Sequence, residues 1–264
     1  MVHMHVENVH LRFPLYSRAQ LHAYQDGDGF DERIIVSGKG RILGVQALRD
    51  INFSLKSGDR LGLIGRNGSG KTTLLQVASQ IMVPDKGEVR VDGRTSNLIN
   101  INLGIQPGAS AQRNITLRGL ASGQSLSAIE EKREEIIQFA ELGDFVEMPV
   151  ETFSAGMRMR LNFAIATAFE PEILILDEWL SAGDIAFREK ATARMQEFVK
   201  QAGILVLATH SHRLLLDNCD RVIWLDNGKI VKDGTVDEVW GAYSESQKAL
   251  KIDARNDVPI GLGG

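Results

Sequence analysis

A glycine-rich segment in the first third of the chain has the spacing of a phosphate-binding loop. Residues 65–72 read GRNGSGKT and match the pattern GxxxxGK[ST] in full. An apolar run before this segment predicts a strand, and the helical periodicity that starts after Lys71 predicts a helix. In such a loop, backbone N–H groups and the positive end of the helix face phosphate oxygens. We therefore expect nucleotide phosphates to contact Gly65, Arg66, Asn67, Gly68, Ser69, Gly70, Lys71, Thr72 and Thr73.

Two side chains of this loop and two carboxylates farther along the chain could carry out phosphate chemistry. Lys71 would reach the β- and γ-phosphates of ATP, and the Thr72 hydroxyl would ligate Mg²⁺. Asp177 and Glu178 follow the apolar run ILIL, so they would lie at the carboxyl end of a buried strand. There Asp177 would hold Mg²⁺ through water, and Glu178 would polarise the attacking water. The alternative for Glu178 is an exposed carboxylate in a turn.

Three shorter motifs accompany these two. Ser154 and Gly156 lie in FSAGM just before a helical pattern, residues 181–184 read SAGD, and His210 follows the apolar run 204–208. Each is weak alone, because S-x-G is common and a histidine at a strand end is more often a hydrogen-bonded polar residue. In their order along the chain, however, the five motifs resemble those of ATP-binding cassette (ABC) ATPases.

The resemblance implies a role for each shorter motif. Ser154 and Gly156 would clamp the γ-phosphate of a nucleotide held by a second copy of the chain. Asp184 would lie beside that nucleotide at the dimer interface, and His210 would contact the γ-phosphate, acting with Glu178 and Lys71 in catalysis. The family therefore implies a homodimer that binds ATP and Mg²⁺, hydrolyses ATP and drives a separate integral membrane permease, of which two copies are expected.

Two variant motifs resemble one branch of the family more than others. The chain has Ser-Ala-Gly-Met at 154–157, where most members carry Gln in the last position, and DEWLSAGDIAF at 177–187. Both are similar to the ATPase subunits that export bacterial O-antigen, capsule or teichoic acid. This resemblance implies export of a lipid-linked polysaccharide across the cytoplasmic membrane. An importer, a drug or lipid exporter and a soluble non-transport ABC ATPase are the alternatives.

Two further site residues depend on family positions that the sequence matches less closely. Gln106 is the candidate for the glutamine that joins the Mg²⁺ site to the permease contact, but it lies only eight positions before Asn114. The alternative is an ordinary loop glutamine. Phe13, with Tyr16 close behind, is the candidate for the aromatic ring that stacks on adenine, and the alternative is a core residue.

The elements that must position these residues follow from hydrophobic periodicity. Two apolar runs, 173–176 and 204–208, are separated by an amphipathic helix of about 185–202. Continuous apolar strands alternating with helices predict a parallel sheet covered on both faces. Alternating apolar residues in 2–13 and 45–55 predict half-buried strands.

Local signals predict the remaining parts of the chain. After the phosphate loop, an apolar helical face continues to Met82, and Ser127–Glu130 predicts a capping box within a helical lobe of about 110–165. Asn227-Gly228 between apolar runs predicts a hairpin with a type I′ turn. Turn motifs in 17–44 predict a long surface insertion.

Together these features indicate an α/β fold of the P-loop NTPase class. It would be an ABC ATPase cassette with a parallel core sheet, an antiparallel β-subdomain and a small α-helical lobe. We expect residues 1–250 to form a single domain and residues 251–264 to form a flexible tail, because the last stretch is rich in glycine.

Composition excludes several other classes. The net charge of −4 gives no basic field for nucleic acid, so we expect no nucleic-acid partner. The single cysteine, Cys219, cannot form an internal disulfide framework. No apolar run approaches the ~20 residues that a membrane span needs. Any membrane association would therefore come through a partner, which would place the chain on the cytoplasmic side of the cell membrane as a peripheral subunit.

Overall fold

The computed structural model describes residues 2–15, 31–38, 41–99, 104–178 and 185–256. The strands are β1 (His3–Pro14), β2 (Ile34–Val36), β3 (Ile42–Lys56), β4 (Arg60–Ile64), β5 (Lys86–Asp92), β6 (Thr95–Asn97), β7 (Ile173–Asp177), β8 (Ile204–Ala208), β9 (Arg221–Asp226) and β10 (Lys229–Gly234). The helices are α1 (Lys71–Ala78), α2 (Ala111–Ala121), α3 (Leu126–Ala140), α4 (Ala155–Ala166), α5 (Ile185–Gln201), α6 (His212–Asn218) and α7 (Val236–Asn256).

The strands form two sheets. One is antiparallel, with the order β2-β3-β1-β5, and the other has the order β10-β9-β4-β8-β7-β6. In the second sheet β6, β7, β8, β4 and β9 run parallel, and β10 returns antiparallel to β9. This arrangement agrees with the predicted parallel core sheet and antiparallel β-subdomain.

The two faces of the parallel sheet are packed against different layers. Residues of one face, including Ile173, Ile175 and Val206, share a hydrophobic cluster with α1 and the antiparallel sheet. The alternate residues, including Leu174 and Leu205, pack against α5 and the start of α7. Because both faces are covered, β7 and β8 are apolar at nearly every position, as the sequence pattern predicts.

The helical lobe consists of α2, α3 and α4, which share their own hydrophobic cluster. These helices lie within 111–166, and the predicted capping box Ser127–Glu130 is wrong. Helix α3 begins two residues earlier, where the Ser125 hydroxyl oxygen accepts a hydrogen bond from the Ala128 N–H at 3.2 Å. Ser127 lies inside the helix, and its hydroxyl contacts Glu131. A serine at either position could cap the helix, and the pattern favoured the wrong one.

Other boundaries also differ from the predictions. Helix α1 ends at Ala78, so the predicted apolar face does not reach Met82 as helix, and Gln80 has a positive φ of 58°. Within the predicted insertion 17–44, Ile34–Val36 forms a strand paired with β3. At the other end, α7 continues to Asn256, past the domain boundary expected at 250. Residues 257–264 of the predicted tail lie outside the described part of the chain.

No helix in the described ranges is long and apolar enough to cross a membrane.

The predicted hairpin is confirmed as β9 and β10. Its two turn residues, Asn227 and Gly228, both have positive φ, at 47° and 75°, as a type I′ turn requires. The turn packs against β3, because the Arg49 N–H donates to the Gly228 carbonyl oxygen at 2.7 Å.

Replacing Gly228 by alanine should destabilise the fold strongly. A Cβ there would lie 2.4 Å from the Ala47 carbonyl oxygen, and the residue would have to keep its positive φ. We expect a loss of at least about 2 kcal/mol in the free energy of unfolding, measured by urea denaturation.

The matched control is Gly241→Ala in α7, where a Cβ would meet no atom within 4 Å. Because this residue is inside a helix, alanine should stabilise the protein by about 0.5–1 kcal/mol. Equal unfolding midpoints for the two variants would contradict the packing described for the turn.

Candidate nucleotide-binding site

The predicted phosphate loop connects β4 to α1. At Gly65 a Cβ would lie 2.2 Å from the Leu225 carbonyl oxygen, so only glycine lets the loop pack this closely on β9. The loop is held from outside as well, because the Gly228 N–H donates to the Ser69 carbonyl oxygen at 2.9 Å. Ser69 is buried, and its hydroxyl has no hydrogen-bond partner among the described residues. An orphaned hydroxyl at this place fits a ligand that supplies acceptor oxygens, as a phosphate chain does.

Lys71 is the buried cation of the loop. Only 8% of the residue is exposed, and its ammonium donates to the carbonyl oxygens of Gly65 at 2.8 Å and Arg66 at 3.2 Å. Desolvation lowers the pKa of Lys71, and the nearby carboxylates of Asp177 and Glu178 act in the opposite direction. The loop therefore keeps a partly desolvated cation beside its own carbonyl groups.

The ends of β4, β7 and β8 bring the remaining predicted catalytic residues to the same place. The Thr72 hydroxyl, in the first turn of α1, donates to an Asp177 carboxylate oxygen at 2.6 Å. Glu178 has a positive φ of 67°, and its N–H donates to the Ala208 carbonyl oxygen at 2.9 Å. His210 Nε2 lies 3.9 Å from Glu178 Oε1.

These residues line one cavity of about 650 Å³. Phe13, Val45 and Ala47 from β1 and β3 line the same cavity, and Ala47 lies against the phosphate loop, since a Cβ on Gly70 would be 2.9 Å from its carbonyl oxygen. Phe13 is 43% exposed, so its ring is accessible to a ligand in this cavity. It pairs directly with Val45 across the antiparallel ladder. An aromatic ring and a cationic loop that line one cavity suit a ligand with a flat base and a phosphate chain.

The other predicted site residues are placed elsewhere or not described. Ser154 and Gly156 begin α4 in the helical lobe and do not line this cavity, and the Ser154 hydroxyl oxygen accepts from the Met157 N–H at 3.1 Å. Gln106 is exposed in the loop before α2, where its backbone is held by the buried Asn114. Gln106 is not among the described residues that line the cavity. Asp184 lies outside the described ranges.

Sequence reasoning missed Arg33, which lines the cavity beside Gly68. The turn motifs in 17–44 predict a surface insertion, which gives Arg33 no place in a site. The available signal was the short β-branched run Ile34-Ile35-Val36, which predicts a strand and so places Arg33 at the start of a sheet edge.

Comparison with known families identifies the arrangement. The sequence profile of the ABC transporter family matches residues 48–181, which include the phosphate loop and β7. The chain belongs to the ABC transporter family.

The sequence is similar to those of curated ABC proteins over most of its length. An O-antigen export system ATP-binding protein of Yersinia enterocolitica is 38% identical over 233 residues, which are 86% of this chain and 95% of the relative. One of Myxococcus xanthus is 41% identical over 76% of this chain but only 46% of its own length. A teichoic acids export ATP-binding protein of Listeria monocytogenes is 41% identical over 76% of this chain and 60% of the relative. The chain thus spans less than two thirds of two of these three relatives.

Solved structures confirm the fold as that of an ABC ATPase cassette. An ATP-binding subunit of an ABC transporter has a TM-score of 0.65 at 21% identity, over 91% of this chain and 93% of that structure. A dimeric ATP-binding cassette in a post-hydrolysis state, bound to ADP and Pi, has a TM-score of 0.62 at 20% identity, over 88% and 98%.

Lys71→Met should separate nucleotide binding from stability. The free protein should melt within about 3 °C of the wild type, because losing the ammonium's hydrogen bonds is offset by removing a buried charge. In the wild type, ATP at about 100 times its Kd should stabilise the fold by about 2.7 kcal/mol. In thermal denaturation, we expect ATP to raise the melting temperature of the wild type but not that of the variant.

Lys86→Met, at an exposed position on β5, is the control and should keep the ATP-induced shift. If ATP still stabilised the Lys71 variant as much as the wild type, the loop would not be the site of binding.

Proposed function

We propose that this chain is the ATP-hydrolysing subunit of an ABC exporter, and that it powers export of a lipid-linked polysaccharide through a separate membrane permease. The observation that carries the ATPase part is the convergence of Lys71, Thr72, Asp177, Glu178 and His210 on one cavity. The polysaccharide part is supported by the O-antigen and teichoic acid export systems named for relatives that are 38–41% identical.

ATP would contact both the Phe13 ring and the phosphate loop. Adenine would stack on Phe13, whose exposed ring faces a space large enough for a nucleotide. The phosphates would replace the loop's own carbonyl groups as partners of the Lys71 ammonium and would supply the acceptor that Ser69 lacks. These two unsatisfied or exchangeable donors lie in the same loop, which supports a triphosphate as the ligand.

The residues present also fit Mg²⁺. Thr72 and Asp177 supply oxygen atoms within hydrogen-bond distance of each other, and Mg²⁺ is commonly held by one or two protein oxygens together with substrate phosphates. When bound, the ion neutralises charge that develops on the transferred phosphoryl group. Gln106 remains a predicted additional ligand, although it lies in a loop that does not line the cavity.

Hydrolysis would rely on Glu178 and His210. Glu178 would orient the attacking water, and its backbone hydrogen bond to Ala208 holds the residue at the end of β7. His210 lies near the same carboxylate and would contact the γ-phosphate there. The Glu178 side chain is 63% exposed and that of His210 is 42% exposed, so water has free access to this end of the cavity.

A second copy of the chain would close the open end. Ser154 and Gly156 are exposed at the start of α4, and a helix start suits an anion because its first N–H groups lack partners. In a head-to-tail homodimer each copy would present Ser154, Gly156 and Asp184 to the nucleotide of the other. The permease, an integral membrane protein, would hold this dimer at the cytoplasmic face of the membrane.

Glu178→Gln should abolish turnover while leaving ATP binding intact, because the amide cannot accept the proton of the attacking water. We expect ATPase activity to fall at least about 100-fold. With ATP and Mg²⁺ the variant should elute as a dimer in size-exclusion chromatography with multi-angle light scattering.

Glu88→Gln, on β5 and outside the cavity, is the control and should hydrolyse ATP like the wild type. A Glu178 variant that stayed monomeric with ATP and hydrolysed it at the normal rate would refute the proposed dimer and the proposed role.

The cargo can be tested in the source organism. If the wild-type gene is replaced by the Glu178→Gln form, we expect lipid-linked polysaccharide to accumulate inside the cell and surface glycan to decline, measured by labelling of surface sugars. Affinity purification from detergent-solubilised membranes should recover a permease with the wild-type chain. Unchanged surface glycan together with loss of uptake of a small solute would favour an importer instead.

A further inference from the structure

Arg33 occupies a place in the cavity wall that none of the predicted motifs covers. It precedes β2, and its carbonyl oxygen accepts a hydrogen bond from the Gln46 N–H of β3 at 2.7 Å. This pairing places the residue next to Val45 and Ala47, which line the cavity together with Phe13. Its side chain is 22% exposed, so the guanidinium is largely enclosed by the protein.

The guanidinium joins two groups in a fixed orientation. Nη1 donates to the carbonyl oxygen of Gly68 in the phosphate loop. Nε donates to Asp31 Oδ1 at 2.8 Å, and Nη2 donates to the other oxygen of the same carboxylate. Arg–carboxylate pairs of this forked kind fix the plane of the guanidinium. The side chain is therefore aimed at the loop by Asp31 and cannot swing freely into solvent.

Donors remain on this guanidinium after those contacts are made. Arginine has five N–H groups, one on Nε and two on each terminal nitrogen. Among the described residues, the contacts with Asp31 and Gly68 use the Nε hydrogen and one hydrogen on each terminal nitrogen. One N–H on Nη1 and one on Nη2 are thus left beside the phosphate loop, in a cavity that already contains the Lys71 ammonium.

The segment that carries Arg33 is tied down on its other side. Arg49 of β3 donates to a carboxylate oxygen of Glu32 at 2.6 Å and to the Asn227 carbonyl oxygen in the β9–β10 turn. The hydrogen bond of Asp31 with Arg33 lowers the pKa of this carboxyl to about 2. The carboxylate therefore stays ionised throughout the neutral range, and its hold on Arg33 does not depend on pH there.

We propose that Arg33 is a nucleotide-contacting residue, which donates a hydrogen bond to an oxygen of the ATP phosphate chain beside Gly68. This inference rests on the proposed ATP site. The guanidinium is a permanent cation with spare donors, it is pre-oriented by Asp31, and it contacts the same loop that would cradle the phosphates. With Lys71 it makes two cations beside the loop, in a cavity that the carboxylates of Asp177 and Glu178 also line.

The test compares ligands with and without phosphates. Arg33→Gln keeps an amide that can reach a carbonyl oxygen but removes the charge. We expect its Kd for ATP and for ADP to rise about tenfold, the size of one lost charge-assisted hydrogen bond. Adenosine, used as a competitor against a fluorescent ATP analogue, should bind the variant and the wild type equally.

Arg33→Lys keeps the charge but cannot form the forked contact with Asp31 while also reaching Gly68. Its loss of ATP and ADP affinity should be smaller, about threefold, again with no change for adenosine. Arg90→Gln on β5 removes an exposed arginine that pairs with Glu88 and lies outside the cavity, and should bind all ligands normally.

Unchanged ATP affinity in Arg33→Gln would overturn the proposal, and so would an equal loss for adenosine, since that would show an effect on the base or on the whole cavity. If Arg33→Gln melts much earlier than the wild type, the Arg33→Lys series decides by the same criterion. Failure of the wild type itself to bind ATP would refute the proposed function instead, so the two hypotheses fail separately.

Discussion

The register of three neighbouring parallel strands is the constraint on which the site depends. Leu63 of β4 pairs with Ala208 of β8, and Ala208 pairs with Asp177 of β7. The three strands end at the same edge of the sheet. The phosphate loop, the carboxylates and His210 therefore lie close together although they are far apart in sequence. A shift of one residue in β7 would turn the Asp177 side chain to the other face and remove its hydrogen bond with Thr72.

Side-chain shape helps to specify this register, because polarity cannot. Both faces of the sheet are apolar, so a slipped strand would still bury apolar residues. However, the face toward α1 carries mainly β-branched residues, such as Ile173, Ile175 and Val206. The opposite face carries leucines, such as Leu174, Leu176 and Leu207. A slip would exchange the two shapes against layers packed for the other, which a dense protein interior tolerates poorly.

Most of the fold was predictable because its signals are local. Periodicity was enough for the parallel strands, the helical lobe and the type I′ hairpin, and the loop motif with its flanking strand and helix placed Lys71 and Thr72. Arg33 was missed because its position depends on the pairing of β2 with β3: the run Ile34-Ile35-Val36 predicts a strand, but not the strand with which it pairs. The end of α1 and the cap of α3 were misplaced since several neighbouring residues could serve, and tertiary packing selects among them. Gln106 and Ser154 do not line the cavity, because the loop before α2 and the start of α4 belong to the helical lobe, whose placement no local pattern encodes.

The residue that would bind phosphate and the residues that would act in hydrolysis differ in their exposure to solvent. Lys71 is nearly buried inside one chain, whereas Glu178 and His210 are largely open to solvent. A single chain therefore has what it needs to hold a phosphate chain, but it does not exclude water from the residues that would act on the γ-phosphate. Because electrostatic stabilisation of a reacting group is stronger when water is excluded, covering this end would raise activity without moving the loop.

The loop itself can be ready for phosphate before any partner arrives, because its carbonyl groups already have donors. The Gly70 carbonyl oxygen accepts from Leu74 in α1, that of Ser69 accepts from Gly228, and that of Gly68 accepts from Arg33. Because other elements supply donors to these oxygens, the loop can keep a curvature in which N–H groups face a phosphate chain. The donors come from α1, the β9–β10 turn and β2, so three separate elements hold the loop's curvature. The Lys71 ammonium donates to the carbonyl oxygens of Gly65 and Arg66, and that of Arg66 also accepts from the Ser69 N–H at 3.1 Å. A nucleotide that draws the ammonium away thus disturbs one end of the loop and leaves the rest of the cradle in place.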